Sequence, residues 1–179
     1  KDDPLLLEKA IKSIFDNSIK PNYFILTIDG PIPKKNKKII KELAEVYPIQ
    51  LNYLKENNGL AHALNSALKM VKTPWIARAD SDDFNLPDRF EKQLQFAKRG
   101  VDVIGSNILE IDSEGDLPKL LKFMPSTHKD IRKYMKLRNP INHMTTFIRT
   151  EKLIEVKGYP QIHLREVYGL WAKMLSSGA

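Results

Sequence analysis

The sequence contains no cysteine, which excludes disulfides, thiol nucleophiles and thiolate metal sites and leaves only oxygen and imidazole to hold a metal. No stretch approaches the roughly 18 consecutive apolar residues that a membrane-spanning helix needs. The start, KDDPLLLEKAIKS, is amphipathic and contains acidic residues, unlike a secretory signal. The chain is therefore expected to be soluble. It shows no internal repeat and no low-complexity linker, and 179 residues with 42% hydrophobic content suffice for one domain with a real core. A formal charge of +7 favours anionic partners such as nucleotide phosphates, anionic lipid or nucleic acid. Charge alone does not choose among them.

Asp3-Pro4 reads as an N-cap followed by proline at the first helical position, and Leu7, Ile11, Ile14 and Phe15 recur on one helical face. A strand follows over Tyr23 to Ile28, stopped by Asp29-Gly30-Pro31. The next helix, to Tyr47, spaces Ile39, Leu43, Val46 and Tyr47 as one face and carries Lys34, Lys35, Lys37, Lys38 and Lys41 near its start. No aromatic residue interleaves these lysines as a single-stranded nucleic-acid platform requires, so they read as a solvated face. Ile49 to Leu54 alternates as a strand, and NNGLAHALNSALKM opens a helix bearing Leu60, Leu64 and Leu68. WIARAD is a further strand. Pro87 begins a helix with Phe90, Leu94 and Ala97 on one face, closed by Gly100, and VDVIGS and ILEI are strands before a turn at DSEGD, Asp112 to Asp116. Sustained β/α alternation predicts an open, mostly parallel sheet covered by helices, with an antiparallel excursion near that turn.

The most pointed feature is RADSDDFNLPDR, Arg78 to Arg89, where Asp80, Asp82 and Asp83 crowd together after a strand and before a helix. Like charges at contact distance require a solvated loop, protonation or a cation. The carboxyl end of a strand is where open α/β sheets bind ligands. Carboxylates at alternate positions can approach Mg²⁺ or Mn²⁺ while leaving positions for phosphate oxygens. A plain solvated turn, with Asp88 favouring the helix N-terminus, is the alternative. Two look-alikes fail: an EF-hand loop begun at Asp80 meets Phe84 at its fifth position and Asn85 in place of the glycine, and a haloacid dehalogenase signature also fails at Phe84.

TIDGP, NNGLAHALNSAL, WIARADSDDFNLPDRFEKQ, NPINHMTTFIR and GYPQIHLREVYGLWAKML, in this order, resemble the family 2 glycosyltransferases of the GT-A fold. The resemblance runs over nearly the whole chain. It implies an α/β, Rossmann-like GT-A domain over residues 1–179, with a mostly parallel central sheet flanked by helices. It also implies that a first strand carrying part of the nucleotide pocket, and a C-terminal end, are missing from this chain. Asp29 would face the nucleotide base, usually uracil, and Asp80 the ribose side. Asp82 would be the metal ligand of the DxD motif, and Asp83 would support the loop or a sugar hydroxyl. Asn57, Asn58 and Gly59 match the loop that approaches the nucleotide, glycine letting the backbone come close. Arg78 would pair with a carboxylate or face the donor. His143 falls in a segment near the sugar, on the acceptor side, although a lone histidine is more often an ordinary hydrogen-bonded residue. Trp171 belongs to an apolar stripe and Trp75 to the sheet.

The implied reaction is attack of an acceptor hydroxyl, from a glycan or polysaccharide, on the anomeric carbon of a nucleotide-activated sugar, most often a UDP-sugar, with inversion and with Mn²⁺ or Mg²⁺ as cofactor. Such transfer needs a general base, worth roughly 10²- to 10⁴-fold. The family places it as the Asp of a Glu-Asp pair at the start of the last helix, and here the pair reads Glu166-Val167. Valine accepts no proton. Either Glu166 serves, or the chain binds donor without efficient transfer, or Val167 is a substitution peculiar to this sequence. The rival function is a catalytically impaired nucleotide-sugar or polysaccharide-binding domain. A sugar nucleotidyltransferase would need a glycine-rich phosphate loop, which is not visible, and nucleic acid is not an expected partner. The expected setting is cytoplasmic, with peripheral association at the inner face of the membrane for the full-length protein.

Overall fold

The computed structural model describes residues 3–111 and 118–179. Helix α1, Pro4–Phe15, begins as its sequence demands. The Asp3 side chain accepts the Leu5 N–H at 2.8 Å, and Pro4 occupies the first turn, where its missing N–H costs nothing. Its buried face, Leu7, Ile11, Ile14 and Phe15, joins Ile40 and Leu43 of α2 (Lys34–Val46), Ile28 of β1 (Phe24–Asp29) and Phe90 of α4 (Arg89–Ala97) in one core cluster. The lysines of α2 are exposed, as expected. Val46 departs from the expected apolar face and is 74% exposed. Asn36, Ile40 and Leu43 take the inner face instead, so the stripe starts one turn earlier.

Strand β2, Ile49–Leu54, pairs in parallel with β1, Phe24 opposite Ile49 and Asp29 opposite Leu54. Alternation gives β1 two different faces. Phe24, Leu26 and Ile28 pack on the α1/α2 side. Thr27 points to α3 (Leu60–Leu68), where Asn52 donates to Thr27 Oγ1 at 3.3 Å and to Ser66 Oγ at 3.0 Å. In α3 it is Ala61 and Ala63 that are buried, while Leu64 and Leu68 pack at the core edge and Leu60 is 40% exposed.

Three further strands form a second sheet in the order β3–β7–β4: Trp75–Ala77, Phe147–Arg149 and Val103–Ile104. Both outer strands run antiparallel to β7. The pairing is thus more mixed than β/α alternation implies. β7 is not reached by a simple helical crossover; the chain arrives there after β5 (Ile108–Ile111), β6 (Pro118–Lys122) and α5 (His128–Tyr134), so nothing obliges it to run parallel. β5 and β6 pair antiparallel with each other alone, as the expected excursion. Its turn, Asp112 to Asp116, lies outside the described residues. The helix expected from Pro87 starts two residues later, with Asp88 as its N-cap.

A second core cluster lies under β7, α6 (Thr150–Glu155) and α7 (Glu166–Ser176). Ile148 and Leu170 have no exposed surface, and Leu153 and Trp171 have 1% each. Burying each such side chain contributes about 1.5–3 kcal/mol. Trp171 is core, and Trp75 belongs to the sheet, stacked on Phe147 at 4.9 Å.

Candidate functional site

At the end of β1, the Asp29 carboxylate accepts backbone N–H bonds from Asn58 at 3.1 Å and Gly59 at 3.0 Å. One side chain thereby shapes the loop between β2 and α3. Asn57 Oδ1 also accepts from Gly59 N. Gly59 adopts φ +86 at the N-cap of α3. Gly30, with φ +87, passes so close that a Cβ there would lie 2.7 Å from the Asn57 nitrogen. Both positions require glycine. Asp29, Asn57, Asn58 and Gly59 are thus brought together. A groove of about 400 Å³ opens on the opposite face of the same strand ends, between Ile28, Gly30, Ile32, Lys37, Tyr53 and Lys55. Asp29 does not line it, because residues 28 and 30 point away from residue 29.

After β3 the chain enters the acidic loop. Arg78 N donates to the Thr146 carbonyl at 2.8 Å, continuing the β3–β7 pairing past its last ladder residue. The Arg78 guanidinium forms an ion pair with Asp80, their side chains being 18% and 31% exposed. Its Nε is buried without a hydrogen-bond partner among the described residues. Asp82 is exposed and Asp83 half-buried. Burial, followed by the charges of Asp80 and Asp82, raises the Asp83 carboxyl above its ordinary value, while Arg78 and Arg89 oppose the rise. The cluster is under its own electrostatic strain. Among the described residues no three histidine or acidic side chains converge into a closed metal cage.

Arg89 and Gln93 belong to the motif WIARADSDDFNLPDRFEKQ, but their role as the scaffold behind this loop was not read from the sequence. Arg89, on the first turn of α4, donates to the Arg78 carbonyl at 2.7 Å, the Thr146 carbonyl at 3.3 Å, Gln93 Oε1 at 3.1 Å, and Asn85 Oδ1. Burial lowers its pKa to about 10, the nearby Arg78 charge adding to the effect and Asp83 opposing it. Asn85 is further held by Ser13 of α1, and Gln93 donates to the Thr145 carbonyl at 2.7 Å. A signal was present: Asn85, Arg89 and Gln93 recur every four residues, a polar stripe at helical spacing that turns inward.

His143, in the 3₁₀ turn His143–Thr145 before β7, is 9% exposed and lies 3.1 Å from the Tyr159 hydroxyl through Nε2. Burial, with help from the Arg78 charge, pushes the imidazole pKa down to about 3. Burial pushes Tyr159 up to about 12. Both groups are therefore neutral, and they share one hydrogen bond between the phenol oxygen and Nε2. His143 is a neutral, buried residue behind Arg78, with its ring 6.3 Å from Trp171.

Glu166 and Val167 open α7, after Leu164 takes φ +60. Val167 packs against the core cluster. Glu166 is half-buried and forms no hydrogen bond or ion pair among the described residues. Consecutive helical positions diverge by about 100°, so the two side chains do not share a direction.

The chain is 32% identical over 180 residues to the amylovoran biosynthesis glycosyltransferase AmsE of Erwinia amylovora, covering 99% of this chain and 67% of that protein. It is 34% identical over 180 residues to an Escherichia coli UDP-Gal:alpha-D-GlcNAc-diphosphoundecaprenol beta-1,3-galactosyltransferase, covering 99% and 65%. Among solved structures, the mannosyltransferase PcManGT of Pyrobaculum calidifontis, in complex with GDP-Man and Mn²⁺, superposes with a TM-score of 0.72 at 15% identity, over 99% of this chain and 50% of that one. TarS of S. aureus (residues 1–349) gives 0.74 at 16% identity, over 94% and 51%. The chain spans about two thirds of the length of these curated relatives and about half that of the solved chains. These structures share its α/β architecture. Residues 3–157 match the family described as Glycosyl transferase family 2, and the chain belongs to that family.

Proposed function

We propose that residues 1–179 form a single GT-A domain that moves a sugar from a UDP-sugar to an acceptor hydroxyl of a glycan, with inversion and with a divalent metal. The observation that carries this reading is the acidic loop: an exposed Asp82 carboxylate beside Asp80 and Asp83, the half-buried Asp83 carboxyl being raised by burial first and by its neighbours' charge second. The donor set fits Mn²⁺ or Mg²⁺, since a hard cation held by one or two carboxylates keeps its remaining positions for water and phosphate. When bound, the metal would offset charge developing on the departing diphosphate. Asp82 would hold it. Asp80, oriented by Arg78, faces the ribose side. Asp29 holds the Asn57–Gly59 loop against the base. Asp83 supports the loop or a sugar hydroxyl, and His143 stays a neutral residue behind the acceptor side.

The activities in the relatives' names, amylovoran biosynthesis and galactose transfer to a diphosphoundecaprenol-linked sugar, support a glycan acceptor. They are compatible with work at the cytoplasmic face of a membrane, although no helix among the described residues is long and apolar enough to cross one. The packing of Val167 into the core favours a second reading for the proton step. With no carboxylate in that direction, the hydroxyl lacks its usual base, and Glu166 would have to turn inward to replace it. A slow transferase that binds donor well is the form this sequence supports best. Titration calorimetry with UDP, with and without Mn²⁺, tests the core of the proposal. The parent should bind in a metal-dependent way and Asp82→Asn should lose that dependence; an equal metal response in both removes Asp82 as ligand.

A further inference from the structure

Between residues 118 and 138 the chain carries seven lysines and arginines against one aspartate, a net of +6 within a chain whose total is +7. The aspartate, Asp130, accepts from Thr127 Oγ1 at 2.6 Å in the capped first turn of α5. On α5 and its extension, Ile131 and Met135 pack into the core. Lys129, Arg132, Lys133 and Lys136 are all exposed, and their spacing puts them on a common face away from it. The same stretch exposes large apolar side chains that cover nothing. Phe123 is 70% exposed, Leu137 85%, and Leu120 and Leu121 57% and 48%. Leu120 and Leu121 point to opposite sides of β6, and both remain in solvent because the β5–β6 ribbon joins no other sheet.

We infer that β6 and α5 form a docking surface for an anionic lipid bilayer. Cations alone would suit any polyanion, and exposed leucines alone would suit any apolar partner. Lysine and arginine interleaved with aliphatic side chains, and a single exposed phenylalanine, match a surface that offers anionic headgroups above hydrocarbon. A single-stranded nucleic-acid surface would instead present several stacking aromatics, and a duplex, held through its phosphates, would have no use for the exposed leucines. Asp112, Glu114 and Asp116 precede β6 and fall outside the described residues, so the surface is drawn from β6 onward. The inference deepens the reading of a membrane-peripheral protein without requiring sugar transfer, so the two can fail separately.

The test is cosedimentation of the chain with vesicles of phosphatidylcholine alone or with about one third phosphatidylglycerol. Each lysine or arginine near an anionic leaflet is worth roughly fivefold in partitioning. The parent should bind the anionic vesicles selectively and release in high salt, and Lys129→Gln/Arg132→Gln/Lys133→Gln should weaken binding about 100-fold. Leu121→Ser/Phe123→Ser should weaken it about tenfold or more. These positions are exposed, so thermal melting of each variant should match the parent. Absence of anionic selectivity, or a triple variant that binds like the parent, overturns the inference. So does tight binding of heparin or duplex RNA with vesicle binding indifferent to Leu121→Ser/Phe123→Ser, which would make the surface a general polyanion site. A concentration-dependent dimer in sedimentation velocity, lost in that same variant, would assign the surface to a second copy of the chain.

Discussion

Replacing His143 with glutamine should remove most of one proton's worth of acid sensitivity from the fold. The imidazole is buried against Tyr159 and near Arg78, and its folded pKa of about 3 stands below the ordinary 6.5. The sign follows from linkage: the unfolded chain binds the proton first, so the neutral histidine's contribution is complete above pH 6.5 and erodes as pH falls toward 3. For a group with these two values, lowering the pH from 8 to 5 costs the native state about 2 kcal/mol. Glutamine keeps an oxygen to accept the Tyr159 hydroxyl but titrates nowhere in this range. Urea unfolding at pH 8 and pH 5 measures the effect. The parent should lose about 2 kcal/mol more than the variant over that interval, whatever the variant's stability at pH 8, because carboxylate titrations common to both cancel in the comparison. Equal losses in the two proteins would mean that His143 ionises in the folded state, and the buried, neutral arrangement with Tyr159 would be wrong.

Two other substitutions address the site. Asp29→Ala leaves the Asn58 N–H without its acceptor and Gly59 N–H with Asn57 Oδ1 alone, and should weaken UDP binding by about 1.5–3 kcal/mol while preserving the Mn²⁺ response; unchanged affinity by calorimetry would detach the loop from nucleotide binding. Val167→Asp should raise sugar transfer by about 10²-fold or more with little change in UDP affinity. Robust transfer by the parent that vanishes in Glu166→Gln would show instead that the base sits one position earlier.

Where local chemistry decides a structure, the sequence was readable. Asp3-Pro4 started α1 on the expected residue, and the alternating Ile49–Leu54 strand kept both its ends. The Asp29 turn, the Asn57–Gly59 loop and the acidic loop fall at strand ends, as α/β folds require. Errors arose where the outcome depended on distant partners. Val46 fits a helical stripe but finds nothing to cover it. The antiparallel entry of β7 depends on a long excursion with no periodic signature. The scaffold of the acidic loop was legible only in part: Arg89 and Gln93 belong to the motif that carries the family resemblance, but their partner Thr146, which makes Arg89 a buried donor beside Arg78, is distant in sequence. His143 likewise carried no sign of its burial, since neither Tyr159 nor Trp171 is near it in sequence.

The dependence of Arg89 on four acceptors also sets an order of assembly. Asn85 and Gln93 lie one helical turn to either side of it, and Arg78 is near in sequence, but Thr146 is 57 residues away. Contacts at such separation carry a loop-closure cost and form late in folding. On the ribosome, Asp80, Asp82 and Asp83 emerge well before the strand that pins them. Until β7 inserts between β3 and β4, Arg89 lacks its Thr146 acceptor and the Arg78 end of β3 lacks its backbone partner. The acidic loop is therefore anchored only once this pairing closes, and a divalent cation bound to its carboxylates would favour the closed form.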